Sequence, residues 1–345
     1  MQVLRNIEDL DRKIAECHAA AAVSDAALRN TFDTFRMDPP PLPEDPFSEE
    51  YLRAQMALYT RVAGKPYQTK NEGYPVDVTS LESIFPYSTR SPNIIGAQYI
   101  AIGALLNRLC IRPPARLIEF GAGWGNMSVA LAQSGYDVTT VDVDEGFCRL
   151  IQQRAKKLDI SIRSINADFM VAETLDEKFD AAIFFECFHH CADHLRLLCA
   201  LHRIIKPEGR VYFVGEPIED RQPMPWGLRL DGESLWAIRQ HGWLELGFQE
   251  EYFRKALHRT DWEVVKHASF THVAHLWEAT SIQGRAAAPL DSVKSEASSP
   301  SAINLDLEKT KQALHFARIQ IEAFEKSTSW RITAPLRAIA RAIKS

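Results

Sequence analysis

What this chain lacks narrows it first. None of its six cysteines forms a CxxC pair, and thiols scattered this thinly over a long chain are those of a reduced, cytosolic protein. No apolar run approaches the ~20 residues needed to span a bilayer. Arg5, Glu8, Asp9 and Asp11 interrupt any N-terminal signal sequence. An excess of positive charge is missing too: the formal net charge is -5, so no global nucleic-acid signature exists and no nucleic-acid partner is expected. Acids are missing only locally, from 327–345, where Arg331, Arg337, Arg341 and Lys344 stand without one. What is present is ordinary for a soluble protein, with 46% hydrophobic and 25% charged residues over 345 positions. That length suits one sizeable domain with appendages, or two domains.

Hydrophobic spacing sets the organisation. Val3, Ile7, Leu10, Ile14 and Cys17 recur by four and three. This predicts a helix over 1–37 whose seam serves either a short coiled coil or packing on its own domain. Asp38-Pro-Pro-Pro-Leu-Pro-Glu-Asp-Pro46 is a stiff extended connector. It opens a stretch, 38–91, with a helix near 48–63 and an irregular remainder, expected to cap the active site. From 92 to 282 the pattern alternates. A helix is expected at 92–110, then strands at 116–120, 137–143, 160–165, 179–185 and 210–215, separated by helices at 126–134, 146–157 and 194–205. A Trp- and Gly-rich insertion follows Glu216, then a helix at 248–258 and a closing antiparallel hairpin of 262–267 and 271–278. Apolar strands alternating with helices imply an α/β fold: a doubly wound, mostly parallel sheet covered on both faces, with an antiparallel C-terminal hairpin. Residues 283–301 are Ala/Ser/Pro-rich, the composition of a flexible linker. In 302–345, Ile303, Leu307, Leu314, Ala317, Ile321 and Phe324 form a heptad helix ahead of a basic amphipathic tail.

The chemistry sits at the strand ends. Leu117-Ile-Glu119-Phe-Gly121-Ala122-Gly123-Trp-Gly125-Asn126 runs from a strand into a helix, with glycines at alternate positions where backbone must approach a ligand. A dinucleotide turn would prefer GxGxxG. Val141-Asp142-Val143 closes the second strand, where an acid can accept from both hydroxyls of a ribose; Asp144 better suits a helix cap. Ile165-Asn166-Ala167-Asp168-Phe169 closes the third, offering a carboxylate to an adenine amine and a ring beside the base. The run from Phe179 through Glu186 to His189 and His190 leads from the fourth strand into the loop where a transferred group should lie. Lys206-Pro207-Glu208-Gly209 is a tight turn before the fifth strand.

This ordered set, from about 116 to 217, resembles the class I (Rossmann-like) S-adenosylmethionine-dependent methyltransferases, with Glu208-Gly209 standing where that family has Gly-Gly. The resemblance implies S-adenosylmethionine as cofactor. Glu119 would lie near its methionine ammonium, Gly121 and Gly123 beneath it, Asp142 at the ribose and Asp168 at the adenine amine. Ala122, Gly125, Asn126, Val143, Phe169 and Glu186 complete the implied cofactor set. Methyl transfer is an in-line displacement at a sulfonium, so a protein contributes proximity, orientation and at times a base. His190 is the expected base, with His189 and Glu216 as further catalytic candidates and Glu186 as an orienter or cofactor contact. The alternative is that the histidine loop merely lines the cofactor. Cys187-x-His189-His190-Cys191 lacks the spacing zinc prefers, and no metal is expected. His272 and His275 belong to the expected hairpin. Glu216, Asp220, Arg229, Asp231 and Glu233, interspersed with Trp226 and Trp236, suit a polar acceptor such as a sugar; the other reading is a solvated loop with two packed tryptophans.

Ser327-Thr-Ser-Trp330-Arg331-Ile332-Thr333-Ala-Pro335-Leu336-Arg337 resembles a C-terminal segment of bacterial cell-surface polysaccharide glycosyltransferases and their associated proteins. Four cations, a tryptophan and an apolar stripe suit an anionic membrane surface; a partner-binding helix or a disordered tail is the other reading. The expected protein is therefore a cytoplasmic O-methyltransferase for a sugar or glycan in surface-polysaccharide biosynthesis, peripheral at the inner membrane through 327–345, with terminal helices that offer a route to homo-oligomers. The alternatives are a methyltransferase for a small metabolite or natural product, and a non-catalytic cofactor-binding scaffold.

Overall fold

The computed structural model describes residues 1–73 and 91–282. The expected linker at 283–301, the heptad helix and basic tail at 302–345, and part of the cap lie outside the described residues. The chain runs β1 (Gln2–Leu4), α1 (Ile7–Ala21), α2 (Asp25–Phe32), β2 (Phe35–Met37), α3 (Glu49–Ala63) and α4 (Pro92–Arg108) into the alternating region. There follow β3 (Arg116–Phe120), α5 (Asn126–Gln133), β4 (Asp137–Asp142), α6 (Glu145–Lys157), β5 (Ile162–Asn166), β6 (Phe179–Phe185), α7 (His194–Ile204) and β7 (Ile205–Val214). An insertion contributes β8 (Trp226–Leu228), α8 (Gly232–Gln240) and β9 (Leu246–Phe248), and α9 (Glu250–Arg259), β10 (Trp262–His267) and β11 (Leu276–Ser281) close the fold.

The central sheet has the order β10-β11-β7-β6-β3-β4-β5. β5, β4, β3, β6 and β7 are parallel, while β11 and β10 add antiparallel at one edge. The alternation of side chains explains why both faces are covered. In β6, Ala181 and Ile183 join the core under α4, α5 and α6, whereas Ala182 and Phe184 join the core on the opposite face with α7 and α9. On that second face Phe120, Phe184 and Phe213 stack across three neighbouring strands, with centroids 5.0 and 5.4 Å apart. Each such fully buried ring contributes about 1.5–3 kcal/mol of apolar burial. The chain leaves β3 for β4 and β5, then returns to β6 on the other side. β3 and β6 therefore flank the switch point, where open α/β sheets bind ligands at the carboxyl ends of their strands.

Three elements differ from the expectation. The helix predicted over 1–37 is two helices framed by a parallel β1–β2 pair. Ser24 breaks it, because its side chain accepts the Ala27 N–H and caps α2. The seam residues Leu10, Ile14 and Cys17 are buried in the main core with Phe32, Phe35 and Tyr51, so they pack on this chain's own fold. The Lys206–Gly209 turn lies within β7: pairing jumps from Phe179↔Ile205 to Ala181↔Arg210, so those residues loop out of the ladder. The last strand starts at Leu276, later than 271, because His272–Ala274 forms a 3-10 turn packed against α4.

The N-terminal elements and the insertion form one roof. Tyr51 Oη donates to Trp226 O at 2.8 Å, Tyr59 Oη donates to Gly242 O at 2.6 Å, and Arg239 pairs with Asp11. Among the described residues, no helix is long and apolar enough to cross a membrane.

Candidate active site

The turn after β3 is held from both sides. Gly121 has φ +61, and a Cβ there would lie 2.6 Å from Cys187 Cβ, so the turn sits directly against the loop after β6. Gly123 has φ +50 and a Cβ there would meet nothing within 4 Å. The space a side chain would take is left open, as a ligand approaching the backbone requires. Asp142, at the end of β4, accepts the Gly123 N–H at 2.8 Å through Oδ2 and the Asp144 N–H at 2.9 Å through Oδ1. Asp144 in turn caps α6 through Gly146 N–H. Burial, with Asp144 nearby, pushes the Asp142 carboxyl up to about 6 despite those donors. Asp168, at the end of β5, is exposed and accepts the Met170 N–H at 2.9 Å, with the Phe169 ring edge-on to Phe120 beside it.

A cavity of about 550 Å³ opens over this turn. Gly121, Gly123, Asp142, Val143, Asp168 and Phe169 line it, as do Glu186 and His190. Glu119, Ala122, Gly125 and Asn126 do not. Glu119 lies behind the turn, 2% exposed, accepting from Ser128 Oγ, and burial pushes its carboxyl up to about 8. Besides Asp142, Glu186 brings a carboxylate to the cavity near the turn, on a backbone bent to φ +51. Burial, then Glu216, pushes it up to about 7. Glu186 is tied to the turn through a chain of amides: Arg154 donates to Asn126 Oδ1 at 3.0 Å, Asn126 Nδ2 to Gln98 Oε1 at 3.2 Å, and Gln98 Nε2 to Glu186 Oε2 at 3.3 Å.

Glu216, expected among the catalytic groups, organises the loop after β6 and does not line the cavity. It accepts the N–H groups of Cys187, Phe188 and His189 at 2.9, 2.9 and 3.2 Å, and pairs with His189 Nδ1 at 2.8 Å. Burial opposes its charge, but His189 and these donors outweigh it and hold the carboxyl below its ordinary value. His189 is buried beneath the cavity wall. His190 reaches the cavity, and its Nδ1 lies 2.9 Å from Leu244 O and 3.2 Å from Glu72 Oε2. Burial would strip its proton, yet Glu72 and then Glu245 and Glu216 push the ring up to about 9. Those carboxylates favour the protonated ring, whereas the general-base role expected for His190 needs the neutral one.

The opposite wall comes from the roof. Trp236 packs on Phe32 at 5.4 Å, and Trp243 stacks on His241 at 4.3 Å. Arg29 donates to Asp25 at 3.0 Å and lies 3.5 Å from Glu233. Trp226, paired with Trp236 in the sequence reading, is buried against Tyr51 and His194 and belongs to the core, and Asp220 is exposed away from the cavity. Cys187 donates its thiol to Phe120 O, so the Cys187–Cys191 set does not gather; His189 and His190 meet Glu245 instead.

A family model described as a methyltransferase domain matches residues 118–213. The chain carries a methyltransferase domain. It is 33% identical over 100 residues to the ubiquinone biosynthesis O-methyltransferases of Pseudomonas entomophila (strain L48) and Stutzerimonas stutzeri (strain A1501), a match covering 28% of this chain and 43% of each relative. The match thus spans less than half the length of these relatives. Among solved structures, mitomycin 7-O-methyltransferase is 14% identical, covering 70% of this chain and 74% of that one at a TM-score of 0.44. Magnesium protoporphyrin IX methyltransferase from Synechocystis PCC 6803 with bound SAH is 16% identical, covering 59% and 93% at a TM-score of 0.43.

The matched methyltransferase domain supplies only part of the cavity. Phe32, Glu72, Glu233, Trp236 and Trp243 all line it from outside 118–213. Sequence reasoning missed Glu72, Gln98 and Glu245 because each reaches the site from a separate segment with no motif around it. For Glu72 the one available signal was its position in the stretch expected to cap the site.

Proposed function

We propose that this protein is an S-adenosylmethionine-dependent methyltransferase that methylates a hydroxyl oxygen of a sugar or glycan in cell-surface polysaccharide biosynthesis, working beside the inner membrane. One observation carries the reading: a single cavity has the open glycine turn with Asp142 on one wall and Trp236 and Trp243 with charged neighbours on the other. The residues fit the cofactor. The open space at Gly123 admits it, Asp142 keeps lone pairs for ribose hydroxyls, and Asp168 is exposed toward an adenine amine. Glu186 offers negative charge to a cationic ligand. When bound, the cofactor supplies a methyl group already activated on sulfonium. This chain's residues fix its orientation, and the roof brings an acceptor over it. Flat indole faces beside Glu233 and Arg29 suit a polyol ring, which presents C–H faces and hydroxyl edges together. An aromatic small-metabolite acceptor is the second reading, favoured by the same indoles.

Calorimetry with S-adenosylmethionine and S-adenosylhomocysteine tests the class. Both should bind, and Asp142→Ala should weaken binding by about 1–3 kcal/mol, the cost of leaving charged hydrogen-bond partners unmatched. Absence of binding at millimolar cofactor removes the class. Radiolabelled methyl transfer to neutral glycosides and to small aromatic hydroxyl compounds, run side by side, tests the acceptor: transfer to the aromatics alone overturns the sugar reading.

A further inference from the structure

Two adjacent histidines below the roof are each fixed by Nδ1. His189 Nδ1 lies 2.8 Å from Glu216 Oε2, and His190 Nδ1 lies 2.9 Å from Leu244 O with Glu72 Oε2 at 3.2 Å. Each anchor leaves Nε2 as the second ring nitrogen, and the carboxylate of Glu245 stands 3.7 Å from that of His189. One donor atom from each of His189, His190 and Glu245 lies within 4.8 Å of the others. His189 and Glu245 are buried, and half-buried His190 opens to the cavity.

This is the arrangement a metal ion needs. Metal-bound imidazoles almost always present their other nitrogen to a carboxylate or a backbone carbonyl, which fixes tautomer and ring orientation. Here one ring has a carboxylate and the other has both. Two imidazoles and one carboxylate form the donor set of open zinc sites, whose fourth position is left to water or substrate. Bonds of about 2 Å in a tetrahedron put donor atoms roughly 3.4 Å apart, so side-chain adjustment of an ångström or so gathers these three. Charge favours the same outcome. Glu72, Glu216 and Glu245 converge here, and the guanidinium that approaches Glu245, Arg229 at 3.7 Å, is shared with Asp231. The two cysteines of the same loop contribute nothing to the cluster.

We propose that His189, His190 and Glu245 bind a divalent ion of the zinc class, with an open position reached from the cavity past His190. An acceptor hydroxyl in that position would be polarised by the ion. That role rests on the proposed methyl transfer, whereas the metal site does not.

The test uses the full chain stripped with a chelator, with Zn²⁺ as the probe in calorimetry and Co²⁺ as a spectroscopic probe. The wild type should take up one equivalent of Zn²⁺, and Co²⁺ should give the visible absorption of a tetrahedral site. His190→Asn and Glu245→Gln should each weaken Zn²⁺ binding at least tenfold. No uptake by the wild type overturns the proposal, as does uptake that neither variant alters. Circular dichroism monitors folding, and if Glu245→Gln fails to fold, His190→Asn at the cavity wall decides alone. Parallel titration with S-adenosylhomocysteine separates the two readings. Zinc without cofactor binding keeps the metal site and removes the methyltransferase, and cofactor without zinc binding does the reverse.

Discussion

Asp142 and Glu186 face the same cavity with carboxyls pushed up to about 6 and about 7, and Glu119 behind the turn is pushed up to about 8. Each shift is led by burial, which disfavours the charged form. The sign for ligand binding follows. A protonated acid gives a cationic ligand nothing, so affinity should rise as pH climbs from about 5.5 to 8 and these protons leave. By linkage, binding should release protons in that window. S-adenosylmethionine, with its sulfonium, should show the steeper dependence, on the order of tenfold, equivalent to one pKa unit of differential interaction. S-adenosylhomocysteine should be flatter, and Glu186→Gln should flatten the upper part of the curve. Calorimetry across this range in buffers of different ionisation enthalpy checks it, and a pH-independent affinity for both ligands contradicts it. Asp142 was legible in the sequence because a strand-end acid two positions before a capping acid has few other uses. So was Glu186, named as a cofactor contact. The placing of Glu119 behind the turn was not, because Ser128 drawing it inward leaves no mark in spacing.

At the scale of elements, the loop after β6 is shaped by one side chain from the end of β7. Glu216 collects three consecutive N–H groups and His189. Glu216→Ala would leave those donors buried without an acceptor and remove the anion paired with His189. The expected cost is about 3–5 kcal/mol, as for breaking a buried charge pair from one side. Urea unfolding should show the loss directly, with Glu216→Gln retaining part of the stability. A lost activity with an unchanged unfolding midpoint would instead make Glu216 a positioning group that acts through the loop after β6. The strands and helices of the sheet were legible because apolar period and strand-end glycines agree with the global fold there. The N-terminal region was less so: its four-and-three spacing fits one long helix equally well, and a single capping serine decides the break. The Lys206–Gly209 excursion was legible as a turn but not as part of β7, since register is a property of two strands and only one is visible locally.

At the scale of the whole molecule, the methyltransferase domain and the cavity's opposite wall come from different parts of the chain, so the domain match alone does not identify the acceptor. The basic tail bears on that question from outside the described residues. Its four cations, Arg331, Arg337, Arg341 and Lys344, stand with Trp330 and an apolar stripe and no acid. Near an anionic surface each cation contributes about 1 kcal/mol, so together they correspond to on the order of a thousandfold in partitioning. Vesicles containing anionic lipid should therefore sediment the full chain but not a chain ending at residue 301, and raised salt should weaken the difference as screening shortens the reach of the charges. The truncated chain should bind S-adenosylhomocysteine with unchanged affinity, because the cavity is lined by residues of 25–243. Equal sedimentation of both chains would detach the protein from the membrane, and with it the strongest link between this methyltransferase domain and an acceptor built at the cell surface.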